Sequence, residues 1–393
     1  MNLILFDGIE RDHLLPLTFT RPVADLRIGI RTIREKWIAA LPEATVSVFT
    51  LGYLQKKFPV RQEEENTWIN GSILPNSALL EAIRNLKPGL GLKKNDVMLG
   101  FRLAGMQIGV DLKKSTVDVQ FEEYEGELDQ IARPWHLFQK NGKAIENDFN
   151  TITIGRKSQP LSPSNTVIGD PSKIFLEEGA KAEASVFNTN DGPIYIGKNA
   201  EVMEGCLVRG GLAMCEGAVL KLATKIYGPT TIGPHSKVGG EVNNSVITGY
   251  SNKGHDGFLG NSVLGEWCNL GADTNNSNLK NNYAEVRLWS YPNESFEPTG
   301  LQFCGLIMAD HSKCGINTMF NTGTVVGVFA NIFGAGFPRN FIPSFSWGGA
   351  AGLSTYRIEK TFEVAERVME RRKVPFTEED KAILQHIYNS TRG

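Results

Sequence analysis

The sequence has little excess charge, no closely paired cysteines and no long apolar run. Its 393 residues carry 41 basic and 43 acidic side chains, a net charge of −2. A chain this close to neutral has no general electrostatic attraction to nucleic acid or to anionic membranes. No apolar run approaches the ~20 residues of a membrane-spanning helix. We therefore expect neither nucleic acid nor a membrane as a partner.

The cysteines are odd in number, widely spaced and without any CxxC pair; they are Cys206, Cys215, Cys268, Cys304 and Cys314. This pattern favours free thiols in a reducing compartment over disulfides or a zinc site. The N-terminal segment Met1–Asp7 has no basic region and becomes acidic too early for a signal peptide. We expect a cytoplasmic protein with no bound metal in the β-rich part of the chain.

What the sequence does have is a repeat of six residues, punctuated by many of its 41 glycines. Every sixth residue from Ile196 to Val238 is apolar. Shorter runs at the same spacing are Ile168, Ile174, Ala180, Val186; Val246, Asn252, Phe258, Leu264, Leu270; and Met308, Cys314, Phe320, Val326, Ile332. A period of six matches neither a helix nor plain strand alternation over such a length.

The six-residue period predicts a parallel β-helix over residues 164–345. Each hexapeptide would form one flat side of a triangular coil, with its apolar residue pointing inward and glycine easing the corner. Successive coils would pair their backbones as parallel sheets. The alternative is a sandwich of short strands, but sandwich turns recur irregularly at ~8–12 residues.

The flanking regions have different patterns. Residues 1–154 alternate buried strands with helical segments, which predicts an α/β domain. A polar, proline-containing linker follows at 155–163. After the coil, residues 346–393 contain two helical patterns, the first ending in the basic cluster Arg367, Arg371, Arg372 and Lys373. We interpret this segment as a helical pair that covers the end of the coil, in preference to a functional basic patch.

The coil period is interrupted between Val238 and Phe258 and again across 275–303. A regular solenoid gains no stability from long excursions, so we expect the insertions to mark the functional face. His255 lies beside the first interruption, flanked by glycines. Its type and corner position suit a general base, although a single histidine is more often only a hydrogen-bonded surface or core residue.

The segments 253–260 (KGHDGFLG) and 263–274 (VLGEWCNLGADT) resemble the acetyltransferase half of the bifunctional N-acetylglucosamine-1-phosphate uridyltransferase/glucosamine-1-phosphate acetyltransferase family. The resemblance implies a left-handed coil, a homotrimer, and His255 as the base that takes a proton from a sugar amine. It places Lys253, Phe258, Asn269 and Asn278 near the sugar. Phe258 stands where the family has a tyrosine.

The segment 310–318 (DHSKCGINT) resembles the coils that hold CoA in that family. The resemblance places Ala272, His311 and Asn317 in the CoA region and implies acetyl-CoA, or another acyl-CoA, as co-substrate. Ile316 replaces a family serine. His311 is the rival candidate for the general base.

The N-terminal region resembles the sugar-1-phosphate nucleotidyltransferases through 15–22 (LPLTFTRP) and through Asn70-Gly71-Ser72. Ser72 replaces the family's magnesium-binding aspartate, and 6–11 (FDGIER) keeps only one glycine of the family's phosphate-binding loop. The candidates for phosphate or nucleotide contacts are Arg11, Arg21, Arg27 and Asn70. Mg²⁺ is expected only if this domain is active, and an inactive scaffold is the equal alternative.

These observations lead us to expect a transferase of sugar-nucleotide metabolism that moves an acyl group from CoA to an amino sugar phosphate or nucleotide sugar. Two alternatives remain open. In one, the activity is sugar-1-phosphate nucleotidyl transfer and the β-helix serves trimerisation. In the other, the protein is a non-catalytic regulator that binds sugar nucleotides.

Overall fold

The computed structural model describes residues 1–104 and 119–391. The helices are α1 Glu10–His13, α2 Ile33–Ala40, α3 Ser77–Asn85, α4 His136–Gln139, α5 Asn141–Thr153, α6 Ile358–Glu370 and α7 Glu378–Ser390, with 3₁₀ turns at Val23–Asp25 and Pro171–Lys173. The strands of the first third are β1 Asn2–Phe6, β2 Arg27–Ile28, β3 Arg31–Thr32, β4 Thr45–Phe49, β5 Glu65–Asn70, β6 Leu90–Lys94, β7 Val97–Ala104 and β8 Gln120–Glu123.

The remaining strands are short, mostly of two to four residues. They are β9 Thr166–Ile168, β10 Ile174–Leu176, β11 Lys181–Ala182, β12 Val186–Asn188, β13 Ile194–Ile196, β14 Glu201–Val202, β15 Leu207–Arg209, β16 Leu212–Met214, β17 Val219–Leu220, β18 Lys225–Tyr227, β19 Thr230–Ile232, β20 Lys237–Val238, β21 Glu241–Asn243, β22 Val246–Gly249, β23 Asn252–Lys253, β24 Phe258–Gly260, β25 Val263–Glu266, β26 Asn269–Leu270, β27 Asn275–Asn276, β28 Arg287–Ser290, β29 Ser295–Pro298, β30 Leu306–Met308, β31 Lys313–Cys314, β32 Met319–Phe320, β33 Thr324–Val326, β34 Asn331–Ile332, β35 Phe341–Ile342, β36 Ser346–Gly349 and β37 Gly352–Thr355.

The chain forms two compact units, residues 1–26 with 31–133 and residues 27–30 with 134–393. The first unit contains a six-stranded sheet in the order β4-β1-β5-β7-β6-β8. Strand β1 pairs in parallel with β4 and β5, so the loops that follow β1 and β5 meet at one edge of the sheet. This α/β arrangement confirms the predicted class of the N-terminal region. The predicted boundaries at 154, 163 and 345 stay predictions.

The second unit is a parallel β-helix with three sheets, one for each side of the coil. Sheet A runs β10-β13-β16-β19-β22-β25-β30-β33-β35, sheet B runs β11-β14-β17-β20-β23-β26-β31-β34-β36-β37, and sheet C runs β24-β21-β18-β15-β12-β9. The stacked parallel sheets confirm the predicted fold class and are consistent with the left-handed coil that the resemblance implied.

The interior of the coil follows the hexapeptide pattern where coils have equal length. All eight positions from Ile196 to Val238 are at most 2% exposed and belong to one continuous core. The run from Met308 to Ile332 lies in the same core. Ile168, in contrast, is 45% exposed, and Val167 packs against the core in its place.

The prediction slips by one residue after Val238, because the next coils are shorter than eighteen residues. Strand pairing sets Ile247 against Ile232 and Lys253 against Val238. The inward residue of β23 is therefore Lys253, whereas the pattern had placed Asn252 there. A one-residue slip exchanges the inner and outer faces of a strand.

The second interruption folds as an antiparallel hairpin, β28–β29. Its Trp289 stacks on Phe341 of the coil, with ring centroids 4.3 Å apart. The C-terminal helices form as predicted, and α7 begins with a capping box in which the Thr377 side chain accepts from the backbone N–H of Asp380. Among the described helices, none combines the length and apolar character that crossing a membrane requires.

Candidate functional site

His255 lies in the bend between β23 and β24, where the chain turns from sheet B to sheet C, and it is exposed. Glycines stand on both sides of it at 254 and 257, and Gly257 has a φ of +114°. Only glycine adopts such a conformation without strain. The sequence therefore builds an open corner on which the imidazole of His255 is exposed.

The side chain of Lys253 faces the interior of the coil, whereas the resemblance placed it near the sugar. It is 2% exposed, and its Nζ donates to the carbonyl oxygen of His255 at 2.7 Å. Burial lowers the pKa of Lys253 to about 8, opposed by the nearby carboxylates of Asp256 and Asp273. The structure argues against a direct contact between Lys253 and a sugar, because the side chain points into the coil.

A cavity of about 780 Å³ opens beside His255 on the outer face of sheet B. This volume is within the range of small-molecule sites. Its floor is a row of outward-facing residues on successive strands: Lys237, Asn252, Asn269 and Lys313. Ala272 and Ile316 also line it, so the structure brings His255, Asn269 and Ala272 to one site.

The cavity is strongly basic. Five of its lining residues are cationic, namely Lys221, Lys237, Lys313, Arg371 and Arg372, and of the described residues that line it none is Asp or Glu. The guanidinium of Arg372 donates to Oδ1 of Asn252 at 3.2 Å, which joins the end of α6 to the floor. Burial lowers the pKa of Lys313 to about 8. The arrangement suits a ligand that carries phosphate groups.

An aromatic ladder borders the cavity at the corner between sheets A and B. Its six members stack in consecutive coils with centroid distances of 4.4 to 6.2 Å; they are His235, Tyr250, Trp267, His311, Phe329 and Phe345. Each has a positive φ between 51° and 62°. His311 is 8% exposed between two of these rings, which favours the exposed His255 as the base.

The other predicted sugar and CoA contacts lie apart from the cavity lining. Nδ2 of Asn278 donates to Oδ1 of Asn261 at 2.7 Å, and both Asn278 and the ring of Phe258 lie beside Gly260 on sheet C. Asn317 is exposed, and its backbone N–H donates to the carbonyl of Ala272 at 2.8 Å. Asn317 therefore adjoins the cavity edge, whereas Phe258 and Asn278 form a separate pair.

In the first unit, the loop after β1 is closed by its own side chains. The carboxylate of Glu10 lies over Gly8, where a Cβ atom would approach it to 2.4 Å. It accepts from Nδ2 of Asn70 at 3.3 Å and from Nε2 of Gln130 at 2.6 Å. Where the resemblance implied nucleotide phosphates, the structure has a buried carboxylate held by two amides.

The predicted phosphate-binding arginines are buried among protein groups. Arg11 is 2% exposed, lies 3.2 Å from the carboxylate of Asp7 and donates to the carbonyl of Thr18. Arg27, in the β-helix unit, donates to the carbonyls of Ile30 and Thr248. Arg21 is 7% exposed. The structure argues against Arg11 and Arg27 as phosphate ligands, since protein oxygens already occupy their guanidinium groups.

The loop after β1, together with Asn70 and Ser72, does not fit a magnesium ion. Oδ1 of Asn70 accepts from the Ser72 hydroxyl at 2.7 Å, and the Ser72 hydroxyl also accepts from Gln130 at 3.0 Å. Magnesium is usually held through carboxylates together with substrate phosphates, and here Glu10 offers the one carboxylate of the cluster. In the described parts of the chain, no group of three or more His, Cys, Asp or Glu side chains could hold a metal.

Sequence reasoning missed two features. One is the pair of arginines that follow α6, and the other is the aromatic ladder. The basic cluster at 367–373 was interpreted only as a covering helix, yet Arg371 and Arg372 line the cavity. A signal for the ladder exists in the sequence. In the last six strands of sheet A, from β19 to β35, an aromatic residue or histidine stands three positions after the inward residue, as Tyr250 follows Ile247 and Phe329 follows Val326.

Comparison with known proteins finds one family match and two curated relatives. Residues 3–157 match the family model of sugar nucleotidyl transferases. The chain is 26% identical over 217 residues to a bifunctional sugar-1-phosphate nucleotidylyltransferase/acetyltransferase of Sulfurisphaera tokodaii, covering 55% of this chain and 47% of the relative. It is 28% identical over 212 residues to the bifunctional protein GlmU of Methanocaldococcus jannaschii, covering 51% and 42%.

The chain therefore spans less than half the length of these curated relatives. Among solved structures, AntD, an N-acyltransferase from Bacillus cereus, aligns over 53% of this chain and 91% of its own, with 13% identity and a TM-score of 0.24. A superposition this loose supports no inference about activity. The chain is thus similar over residues 3–157 to the sugar nucleotidyl transferases, and over about half of its length to two bifunctional relatives.

Proposed function

We propose that the protein transfers an acyl group from a CoA thioester to the amino group of a sugar phosphate or nucleotide sugar. The observation that carries the proposal is the exposed imidazole of His255 at the mouth of a cavity lined by five cationic side chains. CoA, sugar phosphates and nucleotide sugars all carry phosphates, which such a cavity attracts. The similarity to the Sulfurisphaera tokodaii nucleotidylyltransferase/acetyltransferase supports the same class of reaction.

The chemistry requires one base and one acyl donor. His255 accepts a proton from the substrate amine as the nitrogen attacks the thioester carbonyl. A carbon–nitrogen bond forms, the carbon–sulfur bond breaks, and the departing CoA thiolate takes up a proton. In this proposal Asn269, on the cavity floor, contacts the sugar, and Ala272 and Asn317 adjoin the region that binds CoA; their position in or beside the cavity supports these roles.

The proposal includes a cytoplasmic homotrimer, which rests on the resemblance. It is supported by exposed apolar side chains next to the cavity, with Leu222 63% and Ile316 71% exposed. Apolar side chains this open often mark a surface that another chain covers. Light scattering on the purified protein tests the assembly, and a monomer at micromolar concentration would contradict it.

Nucleotidyl transfer is the second candidate, because the family model covers residues 3–157. Glu10 over Gly8 and the serine at position 72 weigh against it, since they leave neither an open phosphate loop nor a carboxylate pair for magnesium. A binding regulator without either activity is the third candidate.

One set of assays separates the three candidates. The full chain is incubated with acetyl-CoA and a panel of amino sugar phosphates and nucleotide-linked amino sugars, and thiol release is followed. In parallel it receives sugar 1-phosphates with UTP or dTTP and magnesium, and pyrophosphate release is followed. We expect thiol release that is lost in His255→Ala and kept in the control His386→Ala, an exposed histidine on α7.

Other outcomes point elsewhere. Pyrophosphate release without thiol release would favour nucleotidyl transfer. Sugar-nucleotide binding with neither product would favour the regulator. Thiol release that persists at the wild-type rate in His255→Ala would remove His255 from the proposed mechanism.

A further inference from the structure

An ammonium group occupies the apolar column inside the β-helix. Lys253 lies in register with Val238 on the preceding coil, and the strand pairing places Leu270 beside it on the next. The neighbouring members of this column belong to the apolar core. A lysine amine inside such a column loses hydration that an apolar side chain would not need.

The amine makes a specific contact in return. Its Nζ donates to the carbonyl oxygen of His255 at 2.7 Å, two residues along the chain. It thereby ties the interior of the coil to the backbone of the residue that carries the proposed base. The carboxylates of Asp256 and Asp273 also attract it electrostatically.

The conformation of the bend around His255 depends on hydrogen bonds such as this one. A Cβ atom built on Gly254 would meet nothing within 4 Å, and Gly257 has a positive φ. Two glycines leave the backbone around His255 with little steric restraint of its own. Backbone bonds to the neighbouring coils also hold the bend: the N–H of Gly239 donates to the carbonyl of Lys253 at 2.7 Å, and the N–H of Asp273 donates to the carbonyl of Asp256 at 3.0 Å.

We infer that Lys253 is a positioning residue: its buried ammonium holds the backbone of His255 so that the imidazole stays aimed into the cavity. The inference rests on the proposed function for its catalytic meaning, but the tie itself does not. Lys253 touches neither substrate nor reacting atoms in this scheme. Misplacing a catalytic group by about 1 Å can cost on the order of 100-fold in rate.

The test compares Lys253→Met with the wild-type chain and with Ile332→Met. Methionine keeps the length of the side chain and removes the donor. Ile332 lies in the same column two coils beyond Leu270, is 1% exposed and is far from the bend, so its substitution controls for repacking. Hydrogen exchange followed by mass spectrometry reads the bend directly, and thiol release with acetyl-CoA reads catalysis.

We expect Lys253→Met to exchange the amides of residues 254–258 about tenfold faster, as the loss of one hydrogen bond predicts. We expect kcat to fall about 10- to 100-fold with KM changed less than about twofold. Ile332→Met should leave exchange, kcat and KM unchanged. The thermal midpoint of Lys253→Met should not fall below that of the wild-type chain.

Unchanged exchange at the bend would overturn the inference, as would an unchanged kcat, because each shows that the amine does not position His255. A lowered thermal midpoint would also overturn it, because a general loss of stability would then account for faster exchange and slower turnover. If the wild-type chain releases no thiol from any substrate while exchange at the bend still accelerates in Lys253→Met, the proposed function fails and the tie stands. The two failures are therefore distinguishable.

Discussion

Replacing Lys253 by methionine should make the protein more stable while it damages the site. Burial moves the pKa of this amine from 10.5 to about 8. At about 1.4 kcal/mol per pH unit, keeping the ammonium charged inside the coil at neutral pH costs about 3 kcal/mol. Methionine has no such cost and fills a similar volume.

The gain is reduced by the bond to His255, whose loss costs about 1 kcal/mol. We therefore expect Lys253→Met to raise the free energy of unfolding by about 2 kcal/mol at pH 7. Lys237 supplies the control. It lies one residue before Val238 on the outer face of sheet B and is exposed, so Lys237→Met should change stability by less than about 0.5 kcal/mol.

The difference in the free energy of unfolding between Lys253→Met and the wild-type chain depends on pH. In the unfolded chain the lysine keeps its proton up to its ordinary pKa of 10.5, whereas the folded protein releases it near pH 8. Between these values the unfolded state binds more protons, so wild-type stability rises with pH. The advantage of Lys253→Met should therefore shrink from pH 7 to pH 10 in urea unfolding. An advantage that is constant with pH, or a less stable variant, would refute the reasoning.

Three further predictions concern the rest of the chain. Arg371→Met or Arg372→Met should raise the KM for the phosphorylated substrate about tenfold at low salt and less at high salt; steady-state kinetics at two ionic strengths checks this, and an unchanged KM contradicts it. The native protein should not react with a thiol reagent at pH 8, because all five cysteines are buried and burial raises the pKa of Cys268 and Cys304 to about 12; a fast-reacting thiol before denaturant is added would be inconsistent with this packing. We expect the first unit not to release pyrophosphate from UTP or dTTP, because Glu10 occupies the loop. Pyrophosphate release by the wild-type chain that is lost in Glu10→Gln would show instead that Glu10 takes part in the reaction.

The β-helix could be predicted from the sequence because its inward-facing residues recur at a regular spacing along the chain. One inward residue in six is enough to specify each side of a coil, and the run from Ile196 to Val238 was correct at every position. The prediction failed at Val246, Asn252 and Phe258 because the coils there are shorter than eighteen residues, so the inward positions moved to Ile247, Lys253 and Leu259. A fixed period cannot register such a change.

The candidate site was harder to predict from the sequence than the fold, because it depends on contacts between distant parts of the chain. His255 was found from its glycines and its place beside an interruption. Arg372 could not be placed, since its contact with Asn252 joins residues 120 positions apart. Glu10 stands in the segment that resembles a phosphate-binding loop, but its approach to Gly8 and its bond to Gln130 depend on how the loop folds.

The most direct test of the proposed function is the ratio of kcat for thiol release from acetyl-CoA between the wild-type chain and His255→Ala, measured with the best amino sugar acceptor at saturation. A general base at this position predicts a loss of at least about 100-fold, with His386→Ala unaffected. A ratio within about twofold of unity would show that His255 is not the base and that the basic cavity beside it serves another purpose.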